Sequence, residues 1–216
     1  CIRDRGRIFG CLRENDLFKN TWVIFTADHG EMLGDHHMSQ KNLFFEGSAH
    51  VPLLIMPPQG RSLPQNISVE APADLVDIYP TILAMAGLTS PVAVSGQNLL
   101  EPVPMNRLFF GNSLNKNFCV MEEKVKLVYS AVGNHVLLFD LNTDPMEQHN
   151  LAEDPAWQER KAKLWKLLLE HTAQFTPEAL DENGQFITYE APHFPGDVPG
   201  RWFGFHYHDY SVDTFH

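Results

Sequence analysis

The stretch TWVIFTADHGEMLGDHHMSQK, residues 21–41, decides how this chain is read. It starts with TWVIFTA, an apolar, β-branched and aromatic run with the composition of a short strand buried on both faces. Ionisable groups then arrive abruptly at Asp28, where a parallel strand would emerge from its sheet. Open α/β sheets bind ligands at that edge. Three histidines (His29, His36, His37), three acids (Asp28, Glu31, Asp35) and Lys41 follow within one loop. Charges gathered at the end of a buried strand are expensive unless partnered, most economically by a metal ion and an anionic ligand.

Asp28 and His29 are adjacent, and neighbours on a continuing strand face opposite sides. Both meet one ion only if the chain turns here, and Gly30 permits that turn. A carboxylate beside an imidazole suits a divalent cation and moves preference away from a purely oxygen-liganded site. Lys41 can return across the loop to the same strand end and offer a compact positive charge to a tetrahedral anion. Metal and ammonium together would neutralise charge developing on a transferring or leaving oxygen.

Working outward, residues 4–19 place Ile8, Leu12 and Leu17 near helical spacing. HVPLLIMPP (50–58) reads as a second buried strand closed by two prolines. DLVDIYPTILAMAG (74–87) reads as a helix stopping at Gly87, which Pro80 either kinks or restarts after Tyr79. Residues 88–106, with Pro91, Gly96, Pro102 and Pro104, read as a linker. Beyond it, RLFFGNS, FCVMEEKVKLVYSAV and HVLLFDLN read as successive antiparallel strands, with a turn signal at Gly133–Asn134. DPAWQERKAKLWKLLLEHTAQF is an amphipathic helix that Asp154 can cap, with Pro155 in its first turn. Trp157, Leu164, Leu168 and Leu169 form its apolar face. The tail FHYHDYSVDTFH is rich in aromatics and histidine, but its spacing specifies no site.

Three segments, in order, resemble the sulfatase family of the alkaline phosphatase-like superfamily. NTWVIFTADHGEMLGDHHMSQKNLFFEGSAHVPLLIMPP resembles its metal-binding segment, DLVDIYPTILAMAGL its D-L-x-P-T-L-L helix, and LLFDLNTDPMEQHNLAEDP its D-P-x-E-x-x-N-L-A hairpin. The resemblance implies that Asp28 and His29 are the late pair of metal ligands and that Lys41 contacts the sulfate and the leaving-group oxygen. It places His36 at the mouth of the site and has Glu46 and Gly47 fix the loop. Calcium is the first expectation for the metal, with manganese or magnesium as alternatives. His50 stands where the family often carries arginine, which puts an ion pair there in question. The family also has an upstream C-x-P-x-R or S-x-P-x-R, whose first residue becomes formylglycine, and an early Asp-Asp pair. Neither pattern occurs here; CIRDR at residues 1–5 lacks the proline.

The chain begins without an initiator methionine or a signal peptide, and it reads as the C-terminal portion of a longer protein. The expected fold class is α/β: a partial alkaline phosphatase-like mixed sheet flanked by helices over residues 1–104. A small antiparallel sheet with one helix is expected over 105–180, followed by a tail over 181–216. The missing flank would be supplied by the N-terminal part of the same protein. Its 216 residues are 44% hydrophobic and 20% charged, ordinary for a soluble protein. A net charge of −11 argues against nucleic-acid binding. No apolar run approaches the roughly 20 residues of a membrane span. The compartment stays open between cytoplasmic and periplasmic or secreted. Asn66-Ile67-Ser68 is a glycosylation sequon, too common a triplet to decide it. Cys1, Cys11 and Cys119 have no metal-ligand spacing and read as reduced or buried thiols.

Three functions follow. The first is hydrolysis of a sulfated small molecule or glycan by the full-length parent, using a divalent metal and an upstream formylglycine. The second is phosphonate monoester or phosphodiester hydrolysis on the same scaffold. The third is a non-catalytic fragment or subunit.

Overall fold

The structure is a computed structural model of the chain that describes residues 2–38, 41, 43–61 and 68–190, with the side chains of Ile2 and His37 set aside. Cys1, Asn66 of the sequon and the histidine-rich tail lie outside the described residues. The chain folds into two compact units. The first comprises Cys1–Asp28, Val51–Glu70 and Leu75–Leu100; the second comprises His29–His50, Ala71–Asp74 and Glu101–His216.

The first unit contains helix α1 (Ile2–Glu14), strands β1 (Val23–Phe25) and β2 (Leu54–Met56), and helix α3 (Ile78–Met85). α1 ends before Asp16, whose φ of 59° starts a separate 3-10 turn over Leu17–Lys19. Pro80 falls in the first turn of α3, where a missing N–H leaves no helical bond unmade, so the helix runs unkinked. A 3-10 turn at Leu75–Asp77 precedes it, and Gly87, at φ 71°, follows its end. Asp77 is wholly buried and accepts from the Gln97 N–H at 2.7 Å, while the Thr81 hydroxyl accepts from the Leu99 N–H at 2.9 Å. Two buried polar side chains thus anchor the linker's backbone against α3.

β1 and β2 pair antiparallel, with Ile24 opposite Ile55, where the sequence suggested a parallel arrangement. They are also not buried on both faces: β1 is half-buried, and Leu54 and Met56 of β2 are 59% and 37% exposed. A two-stranded ribbon has too little surface of its own to cover its apolar side chains. Among the described residues of this unit, no large apolar side chain is fully buried.

The second unit holds the core. Strands β3 (Phe109–Ser113), β4 (Asn117–Glu122), β5 (Val125–Ser130) and β6 (His135–Asp140) form an antiparallel meander in chain order. Each hairpin turns through two residues of positive φ: Leu114–Asn115, Glu123–Lys124 and Gly133–Asn134. Such pairs match the right-handed strand twist. All six residues of β5 are buried, because both faces of the sheet are covered. On one face Phe118, Val120, Leu127, Tyr129 and Leu138 meet Leu164 and Leu168 of helix α4 (Gln158–Phe175). Asp154 caps the helical start by accepting from the Ala156 N–H at 2.8 Å. On the other face Cys119, Val128, Leu137 and Phe139 meet Met32, Met38, Leu43 and Phe45, all from the loop that follows His29. The strand alternation therefore seats that loop directly on the sheet.

Candidate metal and anion site

His29 opens the second unit. Its Nδ1 lies 2.7 Å from the carbonyl oxygen of Gly30. A carbonyl only accepts, so Nδ1 is the donor in this contact. Metal-binding histidines are commonly oriented this way. Asp28, an exposed carboxylate three residues after the end of β1, ends the first unit's opening segment. A carboxylate and an imidazole suit a divalent ion, but two donors do not complete a coordination shell. Among the described residues there is no cluster of three or more His, Cys, Asp or Glu side chains able to hold a metal.

After His29 the backbone is clamped. The Gly30 N–H donates to the Ser48 carbonyl at 2.7 Å and the Glu31 N–H to the Gly47 carbonyl at 2.9 Å. Gly30 is required for closeness rather than for a left-handed turn: a Cβ there would lie 2.1 Å from the Gly47 oxygen. Ser48 belongs to the one-turn helix α2 (Glu46–Ala49), and its Oγ donates to the Lys41 carbonyl at 2.7 Å. Lys41 is half-buried. The same short helix thus holds both the start of the loop and the residue carrying the candidate ammonium.

His36 adopts φ 52°, and its ring stacks on Phe45 with centroids 4.2 Å apart. It is half-buried, and the stack on Phe45 fixes its ring. Phe44 lies against Gly111 of β3, where a Cβ would come within 2.3 Å of its ring. His50 does make an acidic contact despite replacing arginine: its Nδ1 is 2.8 Å from Glu46 Oε2, one helical turn away.

Two residues that the sequence reading passed over stand behind this loop. Lys126, in the middle of β5, is 2% exposed and lies between Glu46 Oε1 at 2.6 Å and Glu147 Oε1 at 2.7 Å. Glu147, also buried, accepts from the Glu46 N–H through Oε2 at 2.7 Å. Burial alone would lower the Lys126 ammonium, but the facing carboxylates, Glu147 foremost, outweigh it and hold it above the ordinary lysine range. Burial also pushes the Glu147 carboxyl up, against the pull of Lys126. A signal existed: in VKLVYS the alternation puts Lys126 on the same face as Val128, a charge where an apolar side chain belongs. A cavity of about 170 Å³ in this unit, with Phe110, Phe118, His171 and Phe175 in its lining, is lined by no acid, lysine or arginine.

The sulfatase family model matches residues 6–88. An uncharacterised sulfatase of Escherichia coli, YidJ, is 32% identical over 178 residues, covering 77% of this chain and 35% of the relative. The chain belongs to the sulfatase family. Arylsulfatase K of Bos taurus is 36% identical over 166 residues, which are 68% of this chain and 30% of that protein. The solved phosphonate monoester hydrolase of Agrobacterium radiobacter superposes with a TM-score of 0.64 at 32% identity, covering 78% of this sulfatase-family chain and 38% of its own. The fold is accordingly alkaline phosphatase-like. The chain spans about a third of the length of the curated sulfatases it matches.

Proposed function

We propose that this chain is part of a sulfuric ester hydrolase in which Asp28 and His29 help hold a divalent metal and the Lys41 ammonium faces the tetrahedral anion. Family membership supports the reaction class. The observation that supports the site is His29, whose Nδ1 donates to the Gly30 carbonyl at 2.7 Å, an orienting contact common among metal-binding histidines. Calcium is the first candidate, manganese and magnesium the alternatives; when bound, the ion would draw charge from an oxygen of the ester. Lys41 supplies a full positive charge beside the oxygen on which negative charge accumulates as the ester bond breaks. His36, stacked on Phe45, borders the mouth. By this reading a formylglycine nucleophile and the remaining metal ligands come from a further part of the same polypeptide. That part would also cover the apolar side chains that the first unit leaves exposed. The substrate is a sulfated small molecule or glycan, and the 216-residue chain alone turns over none.

The likeness to a phosphonate monoester hydrolase favours a second reading, since phosphonate and sulfate esters present similar tetrahedral oxygens and one lysine sorts them poorly. Assaying the complete polypeptide with an aryl sulfate, a phosphonate monoester and a phosphate monoester separates the two. The highest kcat/KM is expected on the sulfate. Dominant phosphonate turnover would install the second reading, and no turnover of any ester would remove both.

A further inference from the structure

A buried lysine bracketed by two carboxylates is rarely retained for stability alone, because well-packed apolar residues of similar volume often serve as well or better. Here the arrangement is also strained: Glu147 holds a left-handed φ of 56° while its carboxylate reaches the N-terminus of α2. What the trio touches is informative. Lys126 and Glu147 both grip Glu46, the first residue of α2, and Glu46 alone of the three is only half-buried. Four residues cannot hold a helix on their own. The orientation of α2 therefore comes from this grip and from Phe45 in the apolar layer beneath.

We propose that Lys126 and Glu147 are positioning residues for the candidate site, acting through Glu46 to fix α2, whose Gly47 and Ser48 hold the backbone after His29 and the carbonyl of Lys41. The route is short and continuous. From Glu46 it passes to the Gly47 carbonyl and the Glu31 N–H, to the Ser48 carbonyl and the Gly30 N–H, and from Ser48 Oγ to Lys41. Neither Lys126 nor Glu147 needs to meet substrate. The four-stranded sheet thereby serves the reaction as the rigid base of its loop. This inference rests on the proposed hydrolase reading only for its catalytic consequence.

The test replaces both buried partners at once, as Lys126→Met with Glu147→Leu, so that no lone charge is left inside. Amide hydrogen exchange on the 216-residue chain should quicken at Gly30 and Glu31 by about 10-fold or more, while the β4–β6 amides keep their protection. Lys126→Arg should restore most of the difference. In the complete polypeptide the double variant should lower kcat by about 10-fold with KM nearly unchanged, as expected when reacting groups are displaced slightly. Should the double variant not fold, Glu46→Gln keeps the buried pair, weakens the same grip and is read at the same amides. Unchanged exchange at Gly30 and Glu31 in a folded variant would overturn the proposal while leaving the hydrolase reading intact. Loosened amides in a protein whose wild type cleaves no ester would retain the positioning role and remove the hydrolase reading instead.

Discussion

Lys41 is asked to stabilise a developing charge, a role whose loss commonly removes two to three orders of magnitude in rate. Lys41→Ala in the complete polypeptide should therefore lower kcat/KM by ~100-fold or more; an unchanged rate would take Lys41 out of the site. Cys119 makes the opposite case, a nucleophilic side chain that geometry silences. It is wholly buried, and burial pushes its thiol up to about 12. Cys11 is exposed. A thiol reagent at pH 8 should modify Cys11 in the native chain and spare Cys119, so Cys119→Ala should leave the native titre unchanged. A lower titre would show Cys119 to be accessible. Folded-state values above the unfolded ones also set a pH dependence. Cys119 rises from 9.0 to about 12 and Tyr129 from 10.0 to about 12, both chiefly through burial. The unfolded chain releases these protons first, so their contribution is complete below about pH 9 and is lost as pH climbs towards 12. Thermal melts across that window should fall from near pH 9 in the wild type and from near pH 10 in Cys119→Ala, where Tyr129 titrates next. Identical onsets would contradict the assignment.

The loop between His29 and His50 shows how much an element can depend on what lies beneath it. Its glycines are not equivalent. A methyl group on Gly30 would strike the Gly47 carbonyl oxygen at 2.1 Å, whereas the nearest atom to one on Gly47 would be the Met32 sulfur at 3.4 Å. Gly30→Ala should therefore cost about 1–3 kcal/mol in urea unfolding, as overpacking typically does. Gly47→Ala should change stability by less than about 0.5 kcal/mol, since a flexible side chain can give way. Equal effects would mean that the clamp between Gly30 and Ser48 is not where we describe it. The sequence made part of this legible. The TWVIFTA run, the abrupt onset of charge at Asp28, the Asp154 cap and the apolar stripe of α4 were all readable, because strand composition, caps and helical periodicity are local signals. The Glu123–Lys124 hairpin was not, since neither residue advertises a positive φ as Gly133–Asn134 does. The exposure of β2 was not either: an apolar run looks the same in sequence whether or not the chain at hand can cover it.

Taken whole, the molecule divides its burial unevenly. The second unit covers both faces of its sheet, with α4 on one side and the His29–His50 loop on the other. The first unit leaves Ile8, Leu54, Val76, Tyr79 and Ile82 substantially exposed. Local stability follows buried apolar contact, so hydrogen exchange should be slow across Val125–Ser130 and far faster across Val23–Phe25 in the isolated chain. Equal protection of the two strands would contradict that imbalance. What long-range packing alone revealed was the service rendered by the sheet: Lys126 and Glu147 lie far along the sequence from the loop they grip, and no local pattern joins them to Glu46. The proposed chemistry nevertheless depends first on Asp28 and His29. Elemental analysis of the complete polypeptide is the most direct test. Wild-type protein should carry roughly one divalent ion at this site, and Asp28→Asn and His29→Ala should each lower metal affinity by about 10-fold or more. Undiminished metal in both variants would contradict the assignment of Asp28 and His29 as ligands.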